Sequence, residues 1–248
     1  MSSGHILEIY EFEWMPGQSG RKSEEKSTLP DGDWIDDHGI LLEDMTLDQL
    51  QDFCDRERRR IAGNVNRTRM MIRRLALMNF DTSKSKFLTF TFRENVTDLT
   101  EANKEWDKFI KRLRRRYGDF KYLNVIEFQK RGAVHYHMLS DLPYVPQKEL
   151  LRLWGNGWVY VTKIAHVDNI GAYLIKYMTK ETYDERFCGR KAYTCSQGLD
   201  RPIVYRGEEA ERIIALYDLD QKKEVYTSCY TSEHHGNITY REFNLKRV

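Results

Sequence analysis

The stretch from Tyr122 to Ser140 reads as two strands, Tyr122 to Phe128 and Ala133 to Ser140, joined by a turn at Lys130-Arg131-Gly132. This commits the middle of the chain to an antiparallel sheet. Side chains alternate along a strand, so the imidazoles of His135 and His137 in the triplet His135-Tyr136-His137 share one face. A reversal centred on Arg131 sets Glu127 directly opposite His135. Two imidazoles and a carboxylate form a three-ligand set with open positions, suited to Mn²⁺ or Mg²⁺. Gln129, on the same strand face as Glu127, is an alternative ligand or a partner that orients one.

Other elements follow from periodicity. Lys86 to Phe92, KFLTFTF, is a strand with Phe87, Thr89 and Thr91 on one side and Leu88, Phe90 and Phe92 on the other. A helix to Tyr117 follows, capped by Asp98 with Glu101, with Trp106, Phe109, Ile110 and Leu113 at helical spacing and Gly118 ending it. Further on come a short helix at Gln147 to Trp154, a strand at Trp158 to Ile164, and a helix from Asn169 to Met178 capped by Asp168. Glu208 to Leu216 is expected to be helical, and Glu224 to Leu245 to form a hairpin about His235-Gly236-Asn237. This order predicts an α+β fold with a central, antiparallel-dominated sheet and helices mainly on one face.

Upstream, residues 1–44 contain PGQSGRKSEEKSTLPDGD and few periodic apolar positions, which predicts a flexible acidic leader. Residues 45–80 form a basic helical region whose buried face is expected to include Leu47, Leu50, Phe53, Cys54, Ile61, Met70, Ile72, Leu75 and Leu77, with a break at Gly63-Asn64. Residues 81–182 are the expected catalytic domain and 183–248 a C-terminal extension.

Charge segregates along these divisions. Residues 1–50 carry 12 Asp or Glu against 3 Lys or Arg, whereas the remainder carries 37 Lys or Arg against 26 acidic residues. A basic body suits a polyanionic partner, although a solvated surface gives the same count. Arg56, Arg58, Arg59 and Arg60, and Arg112, Arg114, Arg115 and Arg116, are candidates for DNA-backbone contact or simply exposed helix faces. The four cysteines lack Cys-x-x-Cys spacing, so neither a zinc ribbon nor a disulfide framework is expected. No apolar run approaches the roughly 20 residues of a membrane span, and MSSGHILEIYEFEW lacks a secretory pattern; the expected location is the cytoplasm of the host cell.

The segment AYLIKYMTKE places Tyr173 and Tyr177 four residues apart, each followed three residues on by a lysine, Lys176 and Lys180. On a helix both phenols project from one face. A metal face with a tyrosine nucleophile and a nearby cation is equipment for breaking a phosphodiester while one end stays covalently attached. Each element alone has an ordinary reading: hydrogen-bonded core histidines in one case, packed aromatics with solvated lysines in the other.

Together, FLTFTF, EFQKRGAVHYHML and GAYLIKYMTKE resemble, in this order, the three motifs of the HUH endonucleases, in particular the replication initiator (Rep) proteins of rolling-circle plasmids and phages. The resemblance spans Phe87 to Lys180. It implies an HUH/RRM-like nicking domain that cuts single-stranded or cruciform origin DNA, leaving a 5′-phosphotyrosine link and a free 3′ hydroxyl. By this resemblance His135 and His137 match the metal-binding histidines and Glu127 the third, polar ligand; Tyr173 or Tyr177 matches the nucleophile, and Lys176 and Lys180 its accompanying lysines. The family prefers an apolar residue where Tyr136 stands; its side chain is expected to face away from the metal.

No Gly-x-x-x-x-Gly-Lys-Ser/Thr sequence occurs, so strand unwinding is expected to need a separate helicase, beside a host polymerase. Relaxases and single-strand transposases share the same apparatus and remain alternatives. A different class of reading is a non-catalytic nucleic-acid binder that stacks bases on Phe90, Phe92, Tyr122 and Phe128.

Overall fold

Seven-residue runs with alternating burial build the centre of the molecule. The computed structural model describes residues 1–14, 44–178, 187, 190–219, 222, 224–232 and 235–247. In chain order the elements are β1 (Ser2–Ser3), β2 (Ile6–Phe12), α1 (Leu47–Asn79), β3 (Lys86–Phe92), α2 (Leu99–Tyr117), β4 (Tyr122–Phe128), β5 (Val134–Ser140), α3 (Gln147–Trp154), β6 (Gly157–Thr162), α4 (Ile170–Ile175), β7 (Tyr193–Cys195), α5 (Glu208–Leu216), β8 (Tyr226–Ser232) and β9 (Gly236–Asn244). Five strands form one antiparallel sheet in the order β6-β3-β5-β4-β7, and four form a second in the order β1-β2-β9-β8.

The α+β class and the antiparallel pairing are as expected. One face of the five-stranded sheet presents Leu88, Phe90, Phe92, Ile126, Tyr136 and Met138 to α2 and α3, which contribute Trp106, Phe109, Leu113, Leu150 and Trp154. Trp106 stacks on Tyr136, and Phe90 meets Trp106, Phe109 and Trp154 edge-on. The opposite face presents Phe87, Leu123, Val125 and Leu139 to Ile72, Leu75 and Ala76 of α1 and to Ile170 and Leu174 of α4. Helices therefore lie on both faces and are not confined mainly to one, because the C-terminal half of α1 is apolar enough to cover the second.

Helix α1 starts with a capping box, Thr46 Oγ1 accepting from Gln49 N–H while the Gln49 side chain accepts from Thr46 N–H. It runs unbroken through Gly63 and Asn64, so the expected interruption does not occur. A single glycine costs a helix only about 1 kcal/mol, and 33 residues of helix absorb it. The expected buried face is realised only from Ile72 onward; Leu47 is exposed, and Leu50, Phe53, Cys54, Ile61 and Met70 are only partly covered. Among the described residues no helix is long and apolar enough to cross a membrane.

Residues 1–14 depart from the expected flexible leader, the remainder of which, 15–43, lies outside the described residues. Strand β2 pairs along its full length with β9, from Ile6 opposite Asn244 to Phe12 opposite Ile238. Buried ion pairs tie this second sheet to α1: Arg73 reaches Glu242 Oε1 at 2.5 Å and Glu8 Oε1 at 3.4 Å, Arg74 reaches Glu8 Oε2 at 2.7 Å, and the Tyr240 hydroxyl donates to both Glu8 and Glu242. Burial and the two carboxylates push the Tyr240 phenol well above its ordinary range. Glu8 and Glu11, which read as leader acidity, are therefore ion-paired strand residues, Glu11 with Arg241. The C-terminal hairpin forms, but Ser232 opposes Gly236, so its reversal precedes the expected His235-Gly236-Asn237 position.

Asp168 does not cap α4. Asn169 does so, its Oδ1 accepting from Ala172 N–H at 2.9 Å, and Asp168 instead accepts from Asn244 and pairs with Arg247. Helix α4 is seated tightly on α1, since a Cβ at Gly171 would lie 2.4 Å from the Arg73 carbonyl oxygen. At Gly63, by contrast, a Cβ would meet nothing within 4 Å.

Two outcomes follow in urea unfolding. Gly63→Ala raises stability by up to about 1 kcal/mol through helix propensity, whereas Gly171→Ala lowers it because α4 must lift from α1; equal effects would contradict this packing. Arg73→Ala leaves Glu242 and part of Glu8 as uncompensated buried charge and is expected to cost about 3–5 kcal/mol. A loss under about 1 kcal/mol would show that the pair does not hold α1 to the second sheet.

Candidate active site

The register of three neighbouring strands assembles the site. Thr91, His135 and Glu127 are consecutive partners across β3, β5 and β4, and Thr89, His137 and Val125 form the next row on the same face. The hairpin that fixes this register is closed by Gln129 N–H donating to the Ala133 carbonyl at 2.9 Å and by Gly132 N–H donating to the Gln129 carbonyl at 2.7 Å. Gly132 has φ 87°, a left-handed conformation that a residue without Cβ adopts readily. Tyr136 points to the other face, buried against Trp106 with its hydroxyl donating to Asn103 Oδ1 at 2.9 Å. The expectation that it faces away from the cluster is met.

Glu127, His135 and His137 each offer a ligand atom, all within 4.8 Å of one another. His137 Nε2 lies 2.7 Å from Glu127 Oε2, and its Nδ1 lies 3.2 Å from Thr89 Oγ1. Thr89 thus fixes the ring from behind, as the partners of metal-bound imidazoles commonly do. His135 Nε2 is shielded from solvent and has no hydrogen-bond partner among the described residues. Burial, chiefly, and then the neighbouring His137 hold the His135 imidazole down to about 4, with Arg131 adding to this and Glu127 opposing it. A neutral imidazole with an unused nitrogen is a competent metal donor. The donor set therefore fits a divalent ion held by two nitrogens and one carboxylate oxygen, with positions left for substrate.

The tyrosines lie against this cluster. Tyr177 stacks on His137 with ring centroids 4.1 Å apart, and both Tyr173 and Tyr177 contact Phe87, at 5.1 and 5.0 Å. The Tyr177 hydroxyl donates to that of Tyr173 at 3.3 Å. Burial first, then the hydrogen bond and charge of Tyr173, then Glu127, push the Tyr177 phenol up to about 12. The helix predicted to reach Met178 ends as an α-helix at Ile175; Tyr177 and Met178 continue in a tighter turn, their N–H groups donating three residues back to Leu174 and Ile175. Lys176 Nζ sits over the Tyr173 ring, 5.5 Å from its centroid. Lys180 lies outside the described residues.

Other expected residues are placed elsewhere. Gln129 is not in the cluster; its Oε1 accepts from Arg131 Nε at 3.0 Å. Arg131, read in the sequence only as the turn centre, donates to the Phe92 carbonyl at 2.8 Å and places its cation close enough to act on His135. Arg112, Arg114, Arg115 and Arg116 are on α2, which covers the sheet face opposite the cluster; Arg116 pairs with Glu149 and Arg114 lies over Tyr122. Arg56, Arg58, Arg59 and Arg60 are exposed on the N-terminal half of α1, where Arg58 pairs with Asp55 and Arg60 with Glu57. Phe90, Phe92, Tyr122 and Phe128 are all buried under α2 and α3, so the expected stacking surface for a non-catalytic binder is core instead. Thr89 was identifiable as lying on the histidine side of its strand, but its bond to His137 depends on a pairing between strands 48 residues apart.

Residues 85–182 match the model of a family of replication-associated proteins, the ORF2 type. No curated protein and no solved structure matches the chain in the corresponding comparisons. The matched region begins just before β3 and extends past α4, so it contains Glu127, His135, His137, Tyr173 and Tyr177 together. This part of the chain is similar to replication-associated proteins, which points to a role in DNA replication.

Proposed function

We propose that the protein is a rolling-circle replication initiator that nicks and rejoins single-stranded DNA at a replicon origin by tyrosine transesterification. The observation that carries this reading is the stacking of Tyr177 on His137, which brings a phenol beside a three-ligand cluster containing an unused imidazole nitrogen.

Glu127, His135 and His137 would hold a Mn²⁺ or Mg²⁺ ion, with Thr89 setting the His137 ring. When bound, such an ion withdraws charge from the non-bridging oxygens of a phosphodiester. Arg131, whose charge already reaches His135, supplies a second cation for the same phosphate. Tyr173 or Tyr177 attacks in line: the bond from phenol oxygen to phosphorus forms, the bond from phosphorus to the 3′ oxygen breaks, the phenol loses its proton and the 3′ oxygen gains one. The 5′ end stays on the tyrosine and the 3′ hydroxyl is free to prime synthesis. Rejoining is the reverse attack by a 3′ hydroxyl. Tyr177, against His137, is adjacent to the cluster, and the hydrogen bond between the two phenols gives Tyr173 access to the same place.

The Tyr177 phenol, at about 12, is a poor nucleophile at neutral pH without nearby positive charge. The bound ion, Arg131, Lys176 and Lys180 are the available cations, Lys176 after leaving the Tyr173 ring. DNA, a separate helicase and a polymerase are the proposed partners, and the host cytoplasm the proposed location.

The test is incubation of purified protein with oligonucleotides tiling both strands of its replicon, with Mn²⁺ or EDTA, read on a denaturing gel. A metal-dependent protein–DNA adduct is expected, lost in the Tyr173→Phe/Tyr177→Phe double variant and in His135→Ala. The single variants assign the attacking tyrosine. An adduct that survives in the double variant, or none from any oligonucleotide, would overturn the reading.

A further inference from the structure

The face that holds the cluster continues across the sheet to β6, its edge strand, where two large aromatics are left in solvent. Trp158 and Tyr160 are 58% and 56% exposed, while Val159 between them is 1% exposed and faces the core. Trp106 and Trp154 are fully buried, so exposure at Trp158 is not how this fold usually treats indoles. Register places Trp158 opposite Thr91, which is opposite His135, and Tyr160 opposite Thr89, which is opposite His137. Each aromatic thus ends a row that begins at a histidine, two strands or about 10 Å away. Along β6 the two are about 7 Å apart and point the same way.

Cations border this strip. Arg93 follows β3 and its N–H donates to the Asn156 carbonyl at 2.8 Å, Arg131 is held on the Phe92 carbonyl, and Phe92 pairs with Gly157, the residue before Trp158. Lys163 is exposed just after β6. The strip is flat and backed rigidly by β3, since Gly157 is so close to β3 that a Cβ there would lie 2.1 Å from the Thr91 carbonyl oxygen. Neighbouring aromatic faces flanked by positive charge, on a surface leading to a phosphate site, match unpaired bases with their backbone. A duplex hides its base faces and offers them nothing to stack on.

We propose that Trp158 and Tyr160 form a stacking platform for two unpaired bases of the strand whose phosphate lies at Glu127, His135 and His137. The platform seats single-stranded DNA and sets the distance from the stacked bases to the attacked phosphate. This rests on the origin-nicking reading.

The test measures binding of labelled mixed-sequence oligonucleotides, single-stranded or duplex, to the full chain in EDTA across a range of salt. The variants are Trp158→Ala, Tyr160→Ala and Trp158→Phe, each checked for an unchanged unfolding midpoint. Each alanine is expected to weaken single-strand binding by about tenfold or more, with duplex binding unchanged. The salt slope stays that of the parent, because no phosphate contact is lost. Trp158→Phe keeps most of the affinity. Single-strand affinity that is unchanged in both alanine variants would overturn the platform, as would equal losses on duplex. Parent adduct formation with Mn²⁺ separates the two ideas. An adduct with unaffected alanine variants sinks the platform alone, and weakened variants without any parent adduct sink the nicking reading while the platform stands.

Discussion

The pairing of β4 with β5 is the constraint on which the rest depends. A slip of one residue would turn Glu127 away from His135 and send every side chain of the strand to the opposite face. The tight turn at Gln129 to Ala133, with Gly132 in a left-handed conformation, prevents that slip. The apolar residues that alternate with the site residues also oppose it: Ile126, Tyr136 and Met138 would have to leave the core beneath α2 and α3. The site is therefore held by the same alternation that buries the core, at no separate cost in backbone strain.

The tyrosines are positioned less directly. They reach the cluster because α4 lies against α1 at Gly171, and α1 lies against the sheet through Ile72, Leu75 and Ala76. Arg73 is central to both contacts: its carbonyl abuts Gly171, while its guanidinium pairs with Glu242 and Glu8 of the second sheet. The N-terminal and C-terminal strands, more than 220 residues apart in sequence, thus brace the helix on which the tyrosine segment rests. A buried charge network suits this task because it is directional, specifying one seating of α1 where an apolar contact would tolerate several.

Much of this was legible in the sequence wherever the signal is local. The period-two runs of β3, β4 and β5, the turn between them, and the helical spacing of α2, α3 and α5 need only neighbours a few residues away. Opposition of Glu127 and His135 followed from turn length alone. What the sequence hid were partnerships over long distances. Ile6, Leu7 and Ile9 alternate poorly among acidic residues, and their partner strand lies at the other end of the chain, so β2 read as a leader. Asp168 and Asn169 are equally good caps by type; Asp168 was claimed by Arg247 and Asn244. A helical pattern gives an apolar stripe but not which sheet face it meets, so the opposite placement of α2 and its arginines could not be read. The exposure of Trp158 and Tyr160 depends in the same way on β6 being an edge strand.

The central claim is that Glu127, His135 and His137 are the ligands of one divalent ion beside Tyr177. Pulsed electron paramagnetic resonance of Mn²⁺ added to the purified protein addresses it directly, because nitrogen couplings count the bound imidazoles. Couplings from two histidine nitrogens are expected in the parent and from one in His135→Ala. Couplings unchanged by that substitution, or Mn²⁺ bound with no nitrogen coupling at all, would contradict it.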